Sequence, residues 1–161
     1  MIYRDIREKL GLTREEAAEL LESISPERLV RIENGKFPIQ PDEVCIMAQK
    51  YKEPSLCNYY CANECPIGQK YVPEVKMQDL SDIVLQMLAF VNTMKNKQDR
   101  LIEIAADGEI TDEELLDFIR IREDLSRISV TAQALTLWTE KMIAEGKIDW
   151  DRYEKLKQTL K

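Results

Sequence analysis

The chain has 161 residues, 44% hydrophobic and 33% charged, with a net charge of −7; that length holds one domain, or a small domain with an extension, and high charge with few aromatics suits helices. No histidine occurs, which excludes Ser-His-Asp and Cys-His catalytic pairs and any imidazole metal site, and no Gly-rich phosphate loop is present. No run approaches a membrane-spanning apolar length and Met1–Asp5 lack a signal-peptide core, so the expectation is a cytoplasmic, non-enzymatic protein with no cofactor and no membrane contact.

In chain order, Ile2, Ile6 and Leu10 recur every four residues, an amphipathic first helix stopped at Gly11. Thr13 and Glu16 form a capping box for a second helix whose buried side is Ala17, Leu20 and Leu21. Ser25 caps a third helix with Pro26 at its first position, where the missing N–H costs nothing. In that helix Leu29 and Ile32 face inward, and Glu27, Arg28 and Arg31 face outward. Pro38 and Pro41 bracket a loop, Asp42 is the expected cap of a fourth helix bearing Val44, Met47, Ala48 and Tyr51, and Pro54-Ser55 opens a fifth that ends near Pro66-Ile67-Gly68.

The order Leu12-Thr13-Arg14-Glu15-Glu16-Ala17-Ala18-Glu19-Leu20-Leu21, a polar break, Ser25-Pro26-Glu27-Arg28 and Leu29-Val30-Arg31-Ile32-Glu33-Asn34-Gly35-Lys36 resembles the phage-repressor-like (XRE) helix–turn–helix family over residues 2–65. The resemblance implies a five-helix module whose third helix enters the major groove of double-stranded DNA. Carried over by position, Glu27 and Arg28 become base readers, and Arg14, Arg31, Asn34 and Lys36 become backbone contacts. Two departures stand out: Glu22-Ser23-Ile24 replaces the usual turn glycine with one extra residue, and Pro26-Glu27 replaces small or amide side chains. Charge runs against the resemblance. Residues 1–52 carry nine Lys/Arg against ten Asp/Glu, and 78–161 carry 12 against 17, whereas duplex DNA rewards basic surfaces.

Cys57, Cys61 and Cys65 repeat every four residues, with Cys45 one helix earlier. They read first as small core hydrophobes. A metal site using Cys45, Cys57, Cys61 and Cys65, or a redox switch, is the alternative, although no Cys-x-x-Cys pair is present. Residues 66–77 read as an irregular connector packed on the module.

Two breaker-free segments follow. Leu80, Val84, Met87, Val91, Met94, Gln98, Leu101 and Ala105 alternate by four and three, as do Phe118, Ile121, Leu125, Ile128, Ala132, Leu135, Thr139 and Met142. That spacing predicts an antiparallel coiled-coil hairpin turning at 107–111, with Thr111 and Glu114 as a second capping box. The acidic loop lacks the full calcium-loop pattern and reads as capping chemistry. Apolar residues off this seam need a cover, so a homodimer through 78–145 is expected, with Leu88, Ile102, Ile119 and Trp138 at its interface. Ile148, Trp150, Tyr153, Leu156 and Leu160 suggest a last short helix that covers part of the hairpin.

The reading is all-α: module 1–65, connector 66–77, helical hairpin and dimerisation region 78–161. The function expected is sequence-specific transcriptional regulation by a homodimer. The alternative is an interaction module that keeps the fold without DNA binding, with thiol or metal sensing as an added layer.

Overall fold

The computed structural model describes residues 1–106 and 108–160 and is all-helical, with no strand among them. Asp107, part of the expected turn, lies outside the described residues. The helices are α1 (Ile2–Lys9), α2 (Arg14–Leu21), α3 (Pro26–Glu33), α4 (Pro41–Lys50), α5 (Ser55–Asn63), α6 (Gly68–Tyr71), α7 (Leu80–Ala105), α8 (Leu115–Ala144) and α9 (Trp150–Thr159). They form two compact units, residues 1–75 with 139–161, and residues 76–138.

In the first unit α3 packs on α1 and α2, and α4 on α2 and α5. Tyr3, Ala17, Leu21, Ile24, Leu29, Ile32, Val44, Met47, Tyr51 and Leu56 close one apolar core. Two of the expected caps, Thr13 and Ser25, are present. Thr13 Oγ1 accepts from the Glu16 N–H at 3.2 Å while Glu16 reaches back to the Thr13 N–H at 2.8 Å, and Ser25 Oγ accepts from the Arg28 N–H. The fourth helix starts two residues earlier than an Asp42 cap would give: Gln40 is its cap and Pro41 its first residue, with Glu43 returning to the Gln40 N–H at 2.8 Å. Pro41 supplies a ready-made helical φ at that position, so Asp42 falls inside the first turn.

The turn between α2 and α3 solves the missing-glycine problem with strain. Glu22 takes φ +62°, ψ −44°, and the Ser23 N–H closes on the Leu21 carbonyl at 2.6 Å. This three-residue turn with positive φ is rare for a side-chain-bearing residue. Lys50 Nζ reaches the Glu22 carboxylate at 2.6 Å.

The connector is less irregular than its sequence suggests, because it contains α6. Gly68 is required there: a Cβ would lie 1.9 Å from the Cys61 carbonyl oxygen, so only glycine lets α6 come this close to α5. Asn58 then sews the chain down, donating to the Pro73 carbonyl at 3.1 Å and accepting the Val75 N–H at 2.7 Å. From the far end of the sequence, Lys141 Nζ donates to the Lys52 carbonyl (2.9 Å) and to Glu53 (2.8 Å).

In the second unit, two ion pairs run in opposite chain directions, Lys97–Asp124 at 2.5 Å and Arg100–Asp117 at 3.0 Å, so α7 and the first part of α8 are antiparallel. The less exposed residues of α7 fall at Ile83, Met87, Phe90, Thr93, Met94, Lys97, Arg100, Leu101 and Ile104, and those of α8 include Asp117, Ile121, Asp124, Ile128 and Thr131. The expected seam contains Met87, Met94, Leu101, Ile121 and Ile128, but Leu80, Val84, Val91, Gln98 and Leu125 are exposed. The ion pairs carry charged side chains into the seam and turn each helix by about one residue relative to a purely apolar seam. α8 also begins at Leu115, after a turn in which Glu114 Oε2 accepts from both the Thr111 N–H and its hydroxyl. α9 has no buried residue.

Candidate nucleic-acid interface

α3 is eight residues long and divides its faces sharply. Leu29, Ile32 and Glu33 are buried, Arg28 and Val30 are half-buried, and Glu27, Arg31 and Asn34 form the exposed stripe at i, i+4 and i+7. The helix ends by a double closure: the Gly35 N–H bonds the Ile32 carbonyl at 3.0 Å and the Lys36 N–H bonds the Arg31 carbonyl at 3.0 Å. That closure needs a left-handed residue, which Gly35 provides at φ +65°. It also places Lys36 beside the end of the stripe.

Glu33 is the hub behind this surface. Its side chain has no exposure, and it accepts Arg7 Nε at 2.5 Å, Arg7 Nη2 at 3.1 Å and Arg14 Nε at 2.9 Å. Burial would raise its carboxyl, but the hydrogen bonds and charges of Arg7 and Arg14 outweigh it and hold the group below the usual carboxylate range. Three helices, α1, α2 and α3, are thereby pinned through one carboxylate. Arg14 spends Nε on Glu33 and keeps 36% of its side chain exposed at the N-terminus of α2.

The two arginines of α3 are held in opposite ways. Arg28 is gripped by its edge: Nε and Nη2 each donate to Glu43 at 2.6 Å, and Nη2 also donates to the Pro38 carbonyl at 2.9 Å. Only Nη1 is left with free N–H groups, so a two-point contact with a base edge would require breaking this fork. Arg31 instead lies over the Phe37 ring, its guanidinium carbon 5.5 Å from the centroid. A cation–π contact uses none of the N–H groups as hydrogen-bond donors, so they remain available.

Glu27 lies in the first turn of α3, and its backbone N–H, the Ser25 hydroxyl and the charge of Arg31 hold its carboxyl below the usual range. A carboxylate in that turn complements the positive end of the helix dipole. Asn34 and Lys36 are exposed, with Asn34 at the helix cap. Glu43 and Phe37 were missed by sequence reasoning. A T-x-x-E-like return to Gln40 was visible for Glu43, but its reach to Arg28 belongs to the folded chain.

Cys45 and Cys57 are neighbours, but the four thiols form no metal-binding cluster among the described residues. Cys45 is exposed and Cys57, Cys61 and Cys65 are half-buried and free, and among the described residues no three metal-ligating side chains converge. Burial pushes the Cys57 thiol up to about 11, with the neighbouring Cys45 and Cys61 thiols adding to it, so it stays protonated and unreactive at neutral pH. Cys65 Sγ accepts the Gly68 N–H at 3.4 Å.

A helix capped by Ser25, a tight turn and a preceding capped helix, all tied to one buried carboxylate, define a helix–turn–helix domain. Residues 4–55 match the Helix-turn-helix family model, of the XRE type. Domains of this family are typically non-enzymatic and DNA-binding. No curated protein and no solved structure matches the chain. Among the described residues no helix is long and apolar enough to cross a membrane.

Proposed function

We propose that the chain is a sequence-specific DNA-binding transcriptional regulator that acts as a homodimer, with domains at 1–65 and 78–161 joined by 66–77. The observation that carries it is the exposed stripe Glu27–Arg31–Asn34 on a helix whose other face is buried. In this reading α3 lies in the major groove, and Arg31 is the principal base-reading side chain. Arg28, its donor edge filled by Glu43, becomes a clamp between α3 and α4. This exchanges the roles that position alone gives the two arginines. Arg14 and Lys36 serve the phosphate backbone.

Dimerisation supplies the second half-site, about one DNA turn or ~34 Å away. Leu88, Ile102 and Ile119 are 57%, 59% and 44% exposed on the second unit, a surface suited to a second copy, while Trp138 is half-buried. One observation favours the second reading, an interaction module without DNA affinity: the first turn of α3, which would face a phosphate, carries the negative charge of Glu27.

Selection of the full chain against random duplexes at low salt, with light scattering at micromolar concentration, tests both. We expect an enriched palindrome, a dimer mass, and a loss of at least about tenfold for Arg31→Ala on that site, with Arg28→Ala acting through stability. A monomer that enriches no sequence would support the interaction module.

A further inference from the structure

We infer that Phe37 is a specificity-determining positioning residue: its ring holds the Arg31 guanidinium in the orientation that reads one base pair. The inference rests on the DNA-binding reading above. Phe37 follows the α3 closure and is 53% exposed, an apolar surface that the core does not require. Phe37 also lines a surface cavity of about 300 Å³ with Met1, Ile32 and Ile39. The Arg31 charge lies 5.5 Å from its centroid, within the range where the negative face of an aromatic ring attracts a cation.

Two facts separate this contact from a chance surface approach. Glu27, one turn before Arg31, feels its charge, yet among the described residues Arg31 makes no salt bridge with a carboxylate and keeps its place over the ring. Finally, the Lys36 N–H is bonded to the Arg31 carbonyl, which fixes the backbone of Phe37's neighbour to that of Arg31 itself. A long side chain free in water would have to be ordered on binding; one already held against a ring has lost part of that freedom beforehand. The cation–π contact engages the charge and leaves the N–H donors for a base.

The experiment compares the full chain with Phe37→Leu, which keeps apolar bulk without a ring, and Phe37→Tyr, which keeps the ring. In the DNA-free protein, the ring-current shift of the Arg31 Nε–H resonance tests the stack directly. We expect an upfield shift in the wild type and Phe37→Tyr and its loss in Phe37→Leu. On the selected duplex and its single-base variants, Phe37→Leu should lose roughly five- to tenfold discrimination at one base pair, the one that Arg31→Ala abolishes. Affinity for non-specific duplex should be unchanged, and Phe37→Tyr should restore discrimination. An unshifted resonance, equal weakening on every duplex, or discrimination unchanged in Phe37→Leu would each overturn the inference while leaving DNA binding intact. A wild-type chain that selects no duplex overturns the DNA-binding reading and this inference with it.

Discussion

Glu33→Gln probes the hub of the module, because it removes a charge while keeping the volume. The Glu33 side chain is fully buried and Arg7 is 6% exposed, with three short contacts from two guanidinium groups converging on it. An amide there offers one acceptor where two are used, and points an N–H₂ group at an arginine donor. Arg14 can turn to water, but Arg7 keeps a buried charge with only the Leu12 carbonyl, at 2.6 Å, and the exposed Glu8 beside it. Removing one partner of a buried pair costs about 3–5 kcal/mol, a large part of the roughly 5–15 kcal/mol that holds a domain together. The expected fall in Tm is on the order of 10 °C. The pH dependence supplies a second check. The folded Glu33 carboxyl titrates below its unfolded value, so its contribution is present above the ordinary carboxylate range and is lost as pH falls through the folded value. Denaturant melts of the wild type should therefore show an acid limb, and those of Glu33→Gln a flatter one. The double variant Arg7→Met/Glu33→Leu, which replaces the pair by apolar groups, should recover most of the loss. A cost below about 1 kcal/mol for Glu33→Gln, with the acid limb unchanged, would refute the hub.

Glu22→Gly should raise Tm by a few degrees, since glycine adopts the φ of +62° without strain and the ion pair it gives up is exposed; a fall measured by circular dichroism would mean that Lys50 fixes the turn. Gly68→Ala should destabilise by about 1–3 kcal/mol, because its Cβ would collide with the backbone of Cys61. A neutral result in chemical denaturation would show that α6 does not approach α5 this closely.

Local chemistry was legible in the sequence wherever a short pattern has one outcome. Thr13 with Glu16, Ser25 with Pro26, and Gly35 after Asn34 fix helix ends through contacts within four residues, so the frame of the module could be read directly. What Arg28 and Arg31 do could not be. Both are outward arginines on one helix, and their difference lies in Glu43, 15 residues away, and in a ring beyond the helix end. The helical phase of the hairpin failed for a related reason. Apolar periodicity was counted without Lys97 and Arg100, whose partners Asp124 and Asp117 lie 27 and 17 residues on.

That charged seam also decides which of several hairpins this sequence makes. Side chains repeating every three and four residues leave two antiparallel helices free to slide by a heptad with similar apolar contact, so the alignment is degenerate. Sliding one way sets Lys97 near Asp117 but moves Arg100 from Asp117 to Ile110, which leaves that cation unpaired across the seam. It also brings Asp124 opposite Phe90, leaving a buried carboxylate against an aromatic ring, an arrangement that interior electrostatics penalise heavily. Sliding the other way sets Arg100 near Asp124 but leaves Lys97 facing Thr131. Of the three alignments the observed one alone pairs both cations across the seam, so the two ion pairs together act as a detent, and Asp124→Leu would be expected to yield a hairpin that is no less helical but no longer singular.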